Sequence, residues 1–134
     1  MPIKNAFTTA ALLSGVALLA ISSQPQMQIA APQSAEIERG RYLVGPAGHC
    51  SDCHGAALQG ASLVGLLNPK LPPTVMRAAP KIAGLPMFNN NAAAIHFFET
   101  AQLPGGARAR QPMPQYQFNR DDATAIVAYL RSLH

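Results

Sequence analysis

The motif CSDCH at residues 50–54 constrains this chain more than any other feature. It contains both cysteines of a 134-residue protein, and a histidine follows them directly. A structural zinc site would need four nitrogen or sulfur ligands, usually in two separated pairs. The spare histidines, which show no paired spacing, are His49, His96 and His134. A thioredoxin-like dithiol needs a βαβ context that this sequence lacks, and a disulfide across two residues would close almost no loop.

The spacing C-x-x-C-H is the pattern of covalent haem attachment. Thioether bonds from Cys50 and Cys53 would fix the porphyrin, and His54 would place its imidazole beneath the iron. We therefore predict one haem c at these three residues. The composition agrees with this prediction, because the chain has no tryptophan and twelve prolines. A domain of about 100 residues is often marginally stable, and the haem would supply the missing core.

The N-terminal segment predicts export. Lys4 precedes an uncharged run at residues 6–21 that ends in small residues, which is the layout of a secretory signal. The run is nearly as long as a membrane span of about 20 residues. We expect residues 1–22 to be a signal peptide or an uncleaved anchor, residues 23–34 a flexible linker, and residues 35–134 the folded domain. The expected location is the periplasm, with a tether to the inner membrane if the anchor stays.

The charge of the chain excludes one class of partner. Without Lys4 the formal net charge falls from +4 to +3. No basic run is interleaved with aromatic residues, as a nucleic-acid-binding face would require. We therefore predict no nucleic-acid partner.

Hydrophobic periodicity predicts an all-α domain. The three expected helices are residues 35–45, 91–102 and 119–133. Ser34 is the expected cap of the first, which would end at Gly45 and Pro46, and Asn119 is the expected cap of the last. Gly40 lies on the apolar face of the first helix, which indicates that another helix crosses it closely. No segment alternates as a strand would.

The apolar faces of the other two helices follow the same periodicity. The last helix carries an apolar stripe, with Tyr129 beside it. The stripe consists of Ala123, Ile126, Val127, Leu130 and Leu133. The middle helix should have an asparagine cap and turn Ile95 and Phe98 inward. We expect it to stop before Pro104.

A methionine is the expected sixth ligand of the iron. Thioether sulfur raises the reduction potential of a histidine-ligated haem and closes the site. Met113 lies between Pro112 and Pro114, which stiffen the backbone as a ligand loop requires. Met87 is the main rival. The other two methionines, expected to be inert or to serve packing or the surface, are Met27 and Met76.

Four stretches carry a resemblance to bacterial class I c-type cytochromes. They are ERGRYLVG, GHCSDCHG, QPMPQY and DDATAIVAYLRSL, in the order of that family. The resemblance covers most of residues 35–134. The chain is most similar to the small haem domains of cytochrome subunits that serve periplasmic dehydrogenases. The resemblance implies a small cytochrome c fold, with three to five short helices and loops wrapped around one covalent haem.

The resemblance also implies roles for individual residues. Cys50 and Cys53 would form the thioethers, His54 would be the proximal ligand and Met113 the distal one. Gly40 would meet Tyr129 where the first and last helices cross, and the carbonyl of Pro80 would accept a hydrogen bond from the proximal imidazole. The residues expected near the haem propionates are Tyr116 and either Arg108 or Arg110.

The implied function is electron transfer rather than catalysis. The haem would cycle between Fe(II) and Fe(III), with a dehydrogenase or respiratory complex as donor and an oxidase or another cytochrome as acceptor. Two alternatives stay open at the level of sequence. One is a haem enzyme or small-ligand sensor with a labile sixth ligand, and the other is a membrane-tethered electron-transfer subunit.

Overall fold

The computed structural model describes residues 31–67, 70 and 72–134. The predicted signal or anchor, most of the predicted linker and Met27 lie outside these residues. The described part is mainly helical, which confirms the all-α prediction. In chain order its elements are α1 (Pro32–Tyr42), a π-helical turn (Leu43–Ala47), α2 (Cys50–His54), β1 (Ala61–Ser62), β2 (Ala78–Ala79), α3 (Asn91–Thr100) and α4 (Arg120–Ser132). No helix among the described residues is both long and apolar enough to cross a membrane.

Helix α1 differs from its predicted bounds at both ends. It begins at Pro32, because a proline at the first helical position has φ preset and needs no hydrogen-bond partner. Ser34 therefore lies inside the helix, and its hydroxyl donates to the carbonyl of Ala31 at 2.6 Å instead of capping. The helix also does not end at Pro46, which lies within the π-helical turn. The wider turn accommodates a residue that cannot donate the usual i→i−4 bond.

Helix α4 begins after its predicted cap and packs across α1, but it ends at Ser132, so Leu133 of the predicted stripe lies outside the helix and is half-buried. The Asn119 side chain caps it by accepting from the backbone N–H of Asp122 at 2.9 Å. At the crossing, a Cβ on Gly40 would overlap the carbonyl oxygen of Ala125 and lie 2.7 Å from the Cβ of Tyr129. The predicted close approach of the two helices at Gly40 is therefore confirmed. The residues of α4 that this packing and the core bury are Ala123, Ala125, Ile126, Val127 and Leu130.

Helix α3 has the predicted asparagine cap, and its buried face is broader than predicted. The Asn90 side chain accepts from the N–H of Ala93 at 2.8 Å. The helix ends at Thr100, before a left-handed residue. Phe98 is buried as predicted, but Ile95 is only half-buried. Phe97 was not expected in the core, yet it is buried between two other phenylalanine rings.

The segment between α2 and α3 contains a short strand pair that the sequence did not predict. Strands β1 and β2 pair antiparallel, with Ala61 opposite Ala79 and Ser62 opposite Ala78. The N–H of Leu63 extends the pair by donating to the Arg77 carbonyl at 2.8 Å. Two residues per strand are too few for a periodic signal, and alanine and serine are poor strand formers.

Candidate functional site

A cavity of about 510 Å³ lies between the helices and the loops that connect them. Its volume falls in the usual range for sites that hold an organic ligand. Its wall is mostly apolar and includes residues from α3, α4 and the π-helical turn. Typical wall residues are Leu43, Val44, Leu85, Phe97, Phe98, Ile126 and Leu130. The cavity thus occupies the position where side chains would otherwise form the centre of the core.

The CSDCH motif forms α2 and supplies one wall of this cavity. His49, with a left-handed φ of 50°, precedes the helix and turns the chain into it. Cys50 and Cys53 are free, half-buried and part of the cavity wall. His54 is only 6% exposed and lines the same cavity. Both sulfurs and the imidazole therefore face one apolar space.

The imidazole of His54 has a fixed tautomer. Its Nδ1 lies 2.7 Å from the carbonyl oxygen of Pro80, which can only accept. Nδ1 therefore carries the proton and donates it, which leaves the lone pair on Nε2 for a metal. This is the hydrogen bond that the resemblance implied for Pro80.

Gly60 brings the Pro80 carbonyl close to His54. The N–H of Gly60 donates to the His54 carbonyl at 2.8 Å. A Cβ on Gly60 would lie 2.9 Å from the backbone nitrogen of Lys81 and 3.1 Å from the carbonyl carbon of Pro80. Only glycine allows so close an approach, and Gly60 also has a positive φ of 92°.

The surroundings of Cys50 disfavour its thiolate form. Burial raises the pKa of the Cys50 thiol, and nearby Cys53 and Asp52 add to the rise against an opposing backbone hydrogen bond. A neutral thiol is a poor metal ligand and a poor disulfide-exchange nucleophile. Within the part of the chain that the structure describes, no three His, Cys, Asp or Glu side chains cluster to hold a metal ion.

Met113 also lies at the cavity wall. It is half-buried and packs against the core. Its N–H donates to the carbonyl of Arg110 at 3.2 Å and closes a turn over residues 110–113. Pro112 and Pro114 flank it and line the cavity as well. The fold thus brings Met113 and His54, 59 positions apart in the sequence, to one cavity.

The other two described methionines share this cavity. Met87, the rival ligand, lines it but is 43% exposed. Met76 was expected in packing or at the surface, and that interpretation was incomplete, because Met76 is half-buried in the cavity wall. A backbone contact explains its position, since the Met76 N–H donates to the Gln111 carbonyl at 2.8 Å. A single methionine in an aperiodic loop gave no sequence signal for this contact.

The residues expected near the propionates have other polar partners. Tyr116 lines the cavity, but its hydroxyl donates to the Gly48 carbonyl at 2.8 Å, so its one proton is used there. Burial raises the pKa of Tyr116, and the neighbouring cysteines contribute; once they are thioethers, only burial remains. Arg110 lines the cavity and donates to the Thr74 carbonyl at 3.0 Å. Arg108 is not part of the wall and donates to Gln115 at 2.9 Å.

The cavity fits a covalently bound haem. An apolar disc matches the apolar wall, two free sulfurs can form thioethers, and the His54 imidazole has an available lone pair. The sequence model of the cytochrome c family matches residues 37–134. A search of curated proteins returned no match. Because the family match spans well over half of the chain and includes the CSDCH motif, this protein belongs to the cytochrome c family, binds haem c covalently and serves haem-based electron transfer.

Proposed function

We propose that this chain is an exported monohaem electron carrier of the bacterial periplasm, with His54 and Met113 as axial ligands. One observation carries the proposal: His54, held by Pro80, and Met113 line the same apolar cavity. Haem c supplies a one-electron redox centre when bound. The protein supplies the ligands, a low-dielectric wall and a docking surface.

His54 keeps a constant orientation in both oxidation states. Its Nδ1–H donates to a backbone carbonyl, so rotation of the ring would cost this hydrogen bond. The same bond strengthens Nε2 as a ligand.

The Met113 turn limits rearrangement on the other side. Pro112 and Pro114 fix two φ angles beside the ligand, and the bond from the Met113 N–H to the Arg110 carbonyl holds the turn closed. A carrier benefits from such rigidity, because electron transfer is fast only when the ligands move little.

Partners and location follow from the sequence and form part of the proposal. The apolar run at residues 6–21 supports export, and thioether attachment of haem suits a compartment outside the cytoplasm. A dehydrogenase or respiratory complex would deliver electrons, and an oxidase or another cytochrome would accept them. Redox partners usually meet through small interfaces.

Carbon monoxide binding to the ferrous holoprotein tests the ligand assignment. We expect the visible spectrum of the wild-type protein to stay unchanged over minutes, because a bound thioether blocks the sixth position. Met113→Ala should form the adduct rapidly. Met87→Ala and Met76→Ala are matched controls that remove the other two thioethers of the wall and should behave as wild type.

Two results would contradict the proposal. Rapid adduct formation by the wild-type protein would favour an enzyme or ligand sensor. An opening caused by Met87→Ala instead of Met113→Ala would move the ligand assignment to Met87.

Cell fractionation tests the proposed export. Cells that express the full chain should contain a shortened periplasmic protein, whereas a full-length protein in the membrane fraction would indicate a tethered subunit instead.

A further inference from the structure

Residues 74–76, in the loop between β1 and β2, contact the turn over residues 110–113 that contains Met113. The guanidinium of Arg110 donates through Nη2 to the Thr74 carbonyl at 3.0 Å. One residue further along the turn, the Gln111 carbonyl accepts from the Met76 N–H at 2.8 Å. These bonds attach both residues at the start of the turn to residues 74–76.

The same segment leads directly to the partner of His54. Residues 78–79 form β2, and Pro80 follows, with its carbonyl 2.7 Å from the imidazole Nδ1. Residues 74–80 therefore contact the Met113 turn at one end and His54 at the other. We call residues 74–80 the clamp.

The clamp is itself held in place. Its strand pairs with β1, and the carbonyl of Arg77 accepts from the N–H of Leu63 at 2.8 Å. Val75 and Leu63 are buried, with 8% and 2% of their surface exposed. Val75 is the one buried side chain of the clamp, and together with the paired backbone it limits the conformations open to the segment, so the clamp can hold a neighbouring turn.

We infer that the clamp positions both axial ligands together, and that Arg110 is a positioning residue for Met113. The inference rests on the proposed function, because Met113 must be the sixth ligand. Arg110 is well placed for this task, since its side chain reaches the clamp while its carbonyl closes the turn that carries Met113.

Loss of the Arg110 bond should loosen the sulfur without unfolding the domain. Arg110 is exposed, so water competes for the bond and its net worth lies at the low end for charged donors. We expect Arg110→Ala to raise the rate of carbon monoxide binding by up to about tenfold, since one such bond changes an equilibrium constant by roughly that factor.

The experiment compares ferrous holoproteins of four variants with wild type. Arg110→Ala should bind carbon monoxide faster and have a lower reduction potential, because thioether ligation raises it. Arg110→Lys keeps a donor and should recover part of the effect. Arg120→Ala removes an equally charged exposed residue, paired with Glu99 at 3.4 Å, and should match wild type.

Met113→Ala separates the two ways in which this scheme can fail. If Met113→Ala binds carbon monoxide no faster than wild type, the proposed ligation is wrong, whatever Arg110 does. If Met113→Ala opens the site but Arg110→Ala and Arg120→Ala stay equal to wild type, the ligation stands and the positioning role is overturned. Thermal unfolding midpoints of all variants show whether faster carbon monoxide binding arises from a loss of stability of the whole domain.

Discussion

The helical frame and the loop half of this domain are held by different interactions. In the frame, formed by α1, α3 and α4, side chains pack against one another, most closely where Gly40 of α1 meets Ala125 of α4. In the loop half, the described residues of 55–90 and 101–118, the longest regular element is a two-residue strand, and isolated backbone hydrogen bonds join the segments. Examples are Ile82 N–H to the Leu58 carbonyl at 2.9 Å and Met76 N–H to the Gln111 carbonyl at 2.8 Å.

This difference reflects where the cofactor lies. Buried side chains of the loop half such as Leu63, Ile82 and Leu85 line the haem cavity, whereas the contact between α1 and α4 at Gly40 lies away from it. Haem therefore acts as core for the loops, and the frame has a partial core of its own. The two halves should respond differently to changes in sequence.

Preventing haem attachment should have the largest effect. The double variant Cys50→Ser and Cys53→Ser would leave the cavity of about 510 Å³ without haem. At about 24 cal/mol per Å³, this would lower the free energy of unfolding by at most roughly 12 kcal/mol. That is comparable with the whole stability of a small domain, about 5–15 kcal/mol. We expect amide hydrogen exchange to show lost protection throughout the loop half, with some retained in α1 and α4. Ser51→Ala, inside the same motif, should keep both haem and protection; equal loss in frame and loops would refute the division.

Gly40→Ala should damage the frame next most severely. The added Cβ would overlap the backbone oxygen of Ala125, and a backbone cannot move aside as a side chain can. We expect a loss of at least about 3 kcal/mol in the free energy of unfolding, the upper range for overpacking. Gly45→Ala is the matched control, because its Cβ would meet nothing within 4 Å. Chemical denaturation of the holoproteins measures both, and similar losses would mean that the crossing is not tight.

Arg131 joins the two halves, and its loss should cost less than the helix crossing. From α4 it donates to the carbonyls of Gly84 at 2.7 Å and Phe88 at 2.9 Å, and to the Asn91 side chain at 3.0 Å. Arg131→Met keeps the length of the side chain but leaves these acceptors unpaired. We expect it to lower the free energy of unfolding by about 2–3 kcal/mol.

Arg120→Met controls for the loss of charge in the Arg131 experiment. Its exposed pair with Glu99 at 3.4 Å is worth about 0–1 kcal/mol. Denaturation curves should therefore separate the two variants clearly. If they coincide, the contacts of Arg131 do not connect the halves.

The frame could be predicted from the sequence because its signals are local. The apolar stripe and the Asn119 cap located α4, and a glycine on an apolar face located the crossing. The C-x-x-C-H spacing identified the cofactor for a similar reason, because the chemistry requires that spacing. The errors in α1 were also local: Pro32 competed with Ser34 for the start of the helix, and the π-helical turn carried the chain past Pro46.

The loop half could be predicted at few positions. Flanking prolines pointed to Met113, which lines the cavity, and the family resemblance supplied another position. That resemblance pointed to Pro80, whose carbonyl does meet His54. It gave no indication of the β1–β2 pair or of Met76 at the cavity wall, since both depend on backbone bonds between distant segments. Nor did it show that the Tyr116 proton is used at Gly48. Hydrogen bonds of this kind leave no periodic pattern in a sequence.

Tyr116→Phe should have the smallest effect of the four changes and a characteristic pH dependence. Its hydroxyl links the loop after Met113 to Gly48, just before α2, the helix that contains both cysteines. Phenylalanine keeps the stacking on Phe118, whose ring centroid is 5.2 Å away. Near neutral pH the free energy of unfolding should therefore fall by only about 0.5–1 kcal/mol, the contribution of one hydrogen bond. Burial raises the pKa of the folded-state phenol above its ordinary value of 10.0.

The contribution of Tyr116 is therefore fully present below pH 10 and declines as pH rises above it, because the unfolded chain then loses the phenolic proton first. Unfolding free energies of wild type and Tyr116→Phe, measured from pH 7 to pH 11, should converge at the alkaline end. A constant difference across that range would mean that the phenol titrates alike in the folded and unfolded states. The hydrogen bond from Tyr116 to Gly48 would then not connect the loop half to α2.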